Sequence, residues 1–190
     1  MRRSSNAGLF WPVLVAVTAA DLLTKALAVA HLVPHQIYEV WGNGLRLMLV
    51  FNPGAAFGLN VGQFSRQIFV GLTLLALVIL GRLYRSTRPG DAWRVLALAL
   101  VCGGALGNLI DRLRSVTGVI DFIDVGLGDA ARWPTFNVAD MAVSFGAFLL
   151  AWVLWEEDRR ANRLGTAVGS AAAATSATVT QPVASESAEL

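Results

Sequence analysis

VLALALVCGGALGNLIDRL, residues 95–113, decides what kind of chain this is. It begins as an unbroken apolar run and ends on Asn108, Asp111 and Arg112. A helix this apolar needs a buried core or a bilayer around it, and crossing the hydrocarbon takes roughly 20 residues. Three further stretches read the same way, at 9–30, 68–84 and 138–155. Of the 190 residues, 55% are hydrophobic and only 15% charged, where soluble domains carry about 25%. The predicted fold class is therefore an all-α integral membrane protein with four transmembrane helices.

Arginine placement predicts the orientation. Arg2 and Arg3 precede the first span, Arg82, Arg85, Arg88 and Arg94 lie between the second and third, and Arg159, Arg160 and Arg163 follow the fourth. Four spans put all three clusters on one side, which the positive-inside rule makes the cytoplasm. Both termini are then cytoplasmic, and 33–67 and 115–137 face outward. Within the first outward segment, 37–40 and 45–51 have β-type composition around Gly42-Asn43-Gly44, a hairpin turn signal. A small extracytoplasmic β-sheet lying on the membrane surface is expected there. Residues 1–164 form the four-span domain. Residues 165–190, rich in Ala, Ser, Thr and Val, read as a disordered cytoplasmic tail.

Several function classes drop out. Net charge is only +2 and no basic face with interleaved aromatics occurs, so no nucleic-acid partner is expected. The lone Cys102 sits in an apolar run without a cationic neighbour, where a thiol stays protonated and unreactive. His31 and His35 have metal-compatible spacing but no close Cys, Asp or Glu, so no metal is assigned.

Polar groups in or beside spans are costly and need a reason. Asp21 and Lys25 in DLLTK share one helix face and can neutralise each other, either to brace the helix or to position a ligand. In FNPGAAFG (51–58), Asn52 precedes Pro53 and is pushed towards extended backbone, and small residues follow. Asn108, Asp111 and Arg112 share a face, with Gly103, Gly104 and Gly107 on the preceding turns as close-packing positions. VIDFID (119–124) and FNVAD (136–140) contribute Asp121 and Asp140, neither with a basic residue nearby in sequence. If these two carboxylates meet, repulsion and desolvation raise one pKa and leave a dyad sharing a proton. Such a dyad can activate water and protonate a carbonyl oxygen. From the residues alone Asp111 can replace Asp121 in that pair; Asp121 is preferred because Arg112 directly follows Asp111.

Taken together, DLLTK, FNPGAAFG, GGALGNLIDR, VIDFID and FNVAD resemble the lipoprotein signal peptidase (signal peptidase II) family, in order and with its four-span layout, over roughly 20–151. GGALGNLIDR and FNVAD together are highly specific, while DLLTK alone is weak. The resemblance implies an aspartyl endopeptidase of the bacterial cytoplasmic membrane, acting at the outer leaflet. It would cut signal peptides from prolipoproteins just before a cysteine carrying diacylglycerol. It also implies that Asp121 and Asp140 are catalytic, and that Asn52, Gly54, Asn108, Arg112 and Asn137 line the substrate site. Asp111 would orient Arg112, and Asp21 and Lys25 would brace the site. The expected partners are the lipidated substrates and membrane lipids; a monomer without cofactor is expected. On this reading the outward hairpin is a cradle over the scissile region, and 115–133 acts as a lid. An ion or proton transporter and a non-enzymatic membrane scaffold are the rival classes.

Overall fold

The computed structural model describes residues 6–53 and 62–179. Among these, four helices are long and apolar enough to cross a membrane, at Asn6–His31, Ser65–Ser86, Ala92–Arg114 and Val138–Arg163. They belong to α1 (Asn6–His31), α2 (Ser65–Ser86), α3 (Ala92–Arg114) and α4 (Val138–Val179). All lie where the sequence puts its spans, the main difference being the later end of α4. The segment from Gly165, read from composition as a disordered tail, continues α4 as far as Val179, and its alanines are strong helix formers. Residues 180–190 of that tail lie outside the described residues.

Two compact units divide the chain, Met1–Leu150 and Ala151–Leu190. In the second, ordinary helix-surface pairs recur four residues apart. Arg159 lies 4.7 Å over the Trp155 ring, Arg160 Nε donates to Glu156 at 3.2 Å, and Asn162 Nδ2 donates to Asp158 at 3.1 Å. Everything that follows concerns the first unit.

α3 is its central element. Val95, Leu98, Ala99 and Cys102 bury against Phe10 of α1, with Leu77, Leu80 and Tyr84 of α2 packed around them. Small residues set how closely the backbones approach. Thr18 Oγ1 donates to the Gly103 carbonyl at 3.0 Å, and a side chain at Gly103 would press on Leu14 and Val17. A Cβ at Gly104 would run into the carbonyl oxygen of Ala139. Gly104→Ala should therefore push α3 off the start of α4, at about 1–3 kcal/mol; a thermal melt in detergent reads the loss. By contrast, α2 leaves Leu72, Leu75, Val78 and Ile79 exposed, an apolar face suited to lipid. At the opposite end from the sheet, Asn6 ties the α2–α3 turn. Its Nδ2 donates to the carbonyls of Thr87 and Arg88, and its Oδ1 accepts from Gly90 N.

Three strands, β1 (Tyr38–Trp41), β2 (Leu45–Asn52) and β3 (Val119–Val125), form an antiparallel sheet in the order β1-β2-β3. The hairpin lies where Gly42-Asn43-Gly44 predicts it, with Gly42 at φ 49°. Within 115–133, the stretch expected to act as a lid, residues 119–125 form the strand β3, laddered to β2 through Val50↔Asp121 and Asn52↔Val119. Gly118 makes this junction possible, at φ 101° with its α-carbon against the Asn52 carbonyl, where a side chain has no room. One face of the sheet buries Leu49 and Phe122 on Ala28 of α1. Alternation turns Asp121 to the other face, beside Asn52.

Candidate active site

Among the described residues Lys25 is the least exposed cation, at 1%. Its ammonium lies 2.7 Å from Asp21 Oδ2, 2.7 Å from Asp111 Oδ2 and 2.8 Å from Asn108 Oδ1. Two carboxylates and an amide oxygen thus surround the ammonium, which makes a buried lysine tolerable. The sequence pairs Lys25 with Asp21 and leaves Asp111 to Arg112. In the structure Asp111 goes to Lys25 and also accepts from Ile120 N at 3.3 Å, pinning the start of β3. Successive helical residues diverge by about 100° around the axis, so Arg112 points elsewhere. Its Nη1 donates to the Asn108 carbonyl at 3.3 Å, and its guanidinium lies 5.3 Å from the centre of the Phe69 ring.

FNVAD turns out to be a helix start. Asn137 Oδ1 accepts from Asp140 N at 2.9 Å, and Asp140 Oδ2 accepts from Asn137 N at 3.2 Å, a reciprocal capping box. Asp21 Oδ1 caps the same turn from α1, accepting from Ala139 N at 2.9 Å. Three backbone donors that end a helix unpaired are thereby satisfied. The i, i+3 spacing carried that signal in the sequence.

Two asparagines tie the carboxylates into one network. Asn108 Nδ2 donates to Asp140 Oδ1 at 2.7 Å, and Asn137 Nδ2 donates to Asp121 Oδ1 at 2.7 Å and to Asn108 Oδ1 at 3.1 Å. Asn52 Nδ2 reaches Asp121 Oδ2 at 3.2 Å. Burial pushes the Asp121 carboxyl up to about 7, and the charge of Asp140 adds to the effect. The Asn52 and Asn137 amides and the Lys25 charge pull it the other way.

Both carboxyls line one cavity of about 340 Å³, with Asn52, Arg112, Trp133, Pro134, Thr135, Phe136, Val143 and Ser144. Of the residues singled out in the sequence, Asp121, Asp140, Asn52 and Arg112 therefore share the cavity. Asn137 is fully buried and Asn108 nearly so; they stand behind the carboxylates and hold them. Asp21, Lys25 and Asp111 form the deeper layer, and Gly54 lies outside the described residues. Pro134, Thr135 and the Val143–Ser144 step on α4 escaped the sequence reading, because they carry no conspicuous chemistry. Ser144 lies one turn beyond Asp140, the only signal that pointed to it. Arg66 was missed as well: its Nε donates to the Arg112 carbonyl at 2.6 Å and its Nη2 to that of Leu113 at 3.3 Å, capping the end of α3.

The family model described as Signal peptidase (SPase) II matches residues 13–156. A lipoprotein signal peptidase of Moorella thermoacetica is 44% identical over 138 residues, 73% of this chain and 87% of the relative. One from Syntrophotalea carbinolica is 41% identical over 145 residues, 76% and 89% of the two chains. A solved structure titled as a bacterial membrane enzyme superposes with a TM-score of 0.74 at 28% identity, covering 83% of this chain and 94% of that one. With the four spans, the sheet and the capped carboxylates in place, the chain belongs to the signal peptidase II family.

Proposed function

We propose that this protein is an aspartyl endopeptidase that removes signal peptides from diacylglyceryl-modified prolipoproteins, cutting before the lipidated cysteine. It works as a multi-pass protein of the bacterial cytoplasmic membrane, with both termini in the cytoplasm and the site at the outer leaflet. One observation carries the reading: two carboxyls, Asp121 and Asp140, open on one cavity, with the first pushed up to about 7. A carboxyl that keeps its proton near neutral pH can donate it to a carbonyl oxygen while its partner takes a proton from water.

The reaction follows from that division. Water loses a proton to Asp140 as its oxygen bonds to the scissile carbonyl carbon, and Asp121 protonates the carbonyl oxygen. On collapse the C–N bond breaks, the hydroxyl proton returns to Asp121, and the proton on Asp140 passes to the leaving amine. Both carboxyls end as they began, so water is the only co-reactant. Asn108 and Asn137 keep the pair oriented, while Asn52 and Arg112 stand on the cavity where a peptide backbone would pass. The carboxyls lie where α3 ends and α4 begins, which suits a substrate held by acyl chains with its scissile bond reached by water.

Purified protein in detergent, given a diacylglyceryl-modified prolipoprotein peptide, should release the signal peptide with the lipidated cysteine as the new N-terminus, read by mass spectrometry. No cut, or a cut elsewhere, rejects the reading. The pH dependence has a defined sign. Asp121 loses its proton as pH rises through about 7, and with it the acid partner. The kcat/KM of the free enzyme should therefore fall above that pH, by up to tenfold per unit. A kcat/KM that climbs between pH 7 and 9 contradicts the role given to Asp121.

A further inference from the structure

β3 ends at Val125, and the chain turns back on itself through residues 126–132. The returning limb, 133–136, runs beside the strand it has just left. Trp133 N donates to the Val125 carbonyl at 2.9 Å, Phe136 N to that of Ile123 at 3.0 Å, and Phe122 N and Ile123 N both to that of Phe136. Those four residues are also the wall of the cavity that holds Asp121 and Asp140. Only two isolated bridges, Ile123↔Phe136 and Gly126↔Arg132, join limb to strand beyond the regular ladder. So short a pairing sets register weakly.

Arg132 supplies what the ladder lacks. Its Nε donates to both carboxylate oxygens of Asp124, at 2.8 and 2.9 Å, and its Nη2 to the Asp124 carbonyl at 3.2 Å. Its Nη1 donates to the carbonyls of Asn43 at 2.8 Å and Gly128 at 3.0 Å. One planar group thereby joins β3, the β1–β2 turn and its own loop. Beneath it, Arg46 faces Asp124 across the β2–β3 register, buried at 5% exposure, with Nη2 on Asn43 Oδ1 and Asp129 Oδ1. Glu39 faces Arg46 from β1, so the two arginines sit among three carboxylates; none of these charged groups lines the cavity, but Trp133, next to Arg132 in sequence, does. An ordinary surface ion pair contributes little; this one is largely buried, forked and directed at backbone carbonyls on two segments.

We propose that Arg132 is a positioning residue for the peptidase reaction: clamped on Asp124 and Asn43, it holds the 133–136 wall at a fixed offset from the strand that carries Asp121, and so sets the seat of the peptide. The inference rests on reading the cavity as the peptidase site. Loosening the wall leaves Asp121, Asp140 and their asparagines untouched, so substrate capture suffers while the chemistry persists. Lysine keeps the charge but cannot reproduce a fork that reaches five acceptor atoms on three residues.

The test is steady-state cleavage of the diacylglyceryl peptide by full-length wild type, Arg132→Lys and Arg132→Gln in detergent, with a thermal melt of each. Both variants should raise KM about tenfold, with kcat within about threefold. Asp124→Asn keeps the shape and one acceptor, and it should fall between wild type and these; it replaces Arg132→Gln if that variant does not fold. Three results overturn the proposal: Arg132→Lys with wild-type KM, a lowered melting temperature with KM unmoved, or a loss confined to kcat. A wild-type protein that cuts no such peptide rejects the peptidase reading itself, and this inference with it.

Discussion

Asp140→Asn and Asp121→Asn are each expected to lower cleavage of a lipidated peptide by at least about 10³-fold, because in the proposed mechanism the two carboxyls act as one acid–base unit. The double substitution should then cost little more than either single one. Both variants keep the size of the side chain, and the networks predict that they fold. An amide at position 140 retains an oxygen for Asn108 Nδ2, though its NH2 group then opposes the donor at Asn137 N. At position 121 an amide would face one of two donors, Asn52 Nδ2 or Asn137 Nδ2. A dead variant that melts near wild type identifies chemistry; one that keeps even a tenth of the wild-type rate removes that residue from the proposed dyad. Asp111→Asn is the internal control. Its carboxylate belongs to Lys25 and Ile120 N, so stability should suffer more than the chemical step.

The largest expected effect on stability is Lys25→Met. Removing the ammonium leaves Asp21 and Asp111 facing each other at 0% and 7% exposure with no cation between them. Breaking a buried ion pair from one side costs about 3–5 kcal/mol, and here two carboxylates and the Asn108 carbonyl oxygen lose their partner together. Asp111→Asn should cost clearly less, since Lys25 keeps Asp21 and Asn108. Thermal unfolding in one detergent ranks the two variants. If Asp111→Asn proves the more damaging, the centre of this network is Asp111 and not the lysine.

The spans were legible because apolar length is a local property, and the hairpin because Gly42-Asn43-Gly44 is a turn in its own right. β3 was hidden by its own carboxylates. VIDFID drew attention as a site, although its Val, Ile and Phe content is that of a strand. The strand within 115–133 escaped notice for the same reason, since its pairing with β2 depends on a segment far away in the chain. The partner of Asp111 was misjudged because adjacency along a helix is not adjacency in space. Asp124 closes the VIDFID motif, but Arg132, eight residues on, had no motif to mark it; their meeting depends on a loop whose closure sequence alone does not report.

The capping of α4 by Asp21 has a consequence for how the protein is made. Asp21 and Ala139 stand 118 residues apart, at the two extremes of the membrane domain. A chain threaded only through its third span has α1 and α3 but no donor for Asp21 Oδ1 and no carboxylate for Asn108 Nδ2. The proposed hydrolytic centre is thus complete only with the winding of the last helix. The carboxylate at 140, one of the proposed catalytic pair, is also the third residue of that helix. One residue inserted after Asn137 would unseat the cap and swing the carboxylate by about 100° around the axis. Helix start and reaction centre are inherited as one unit.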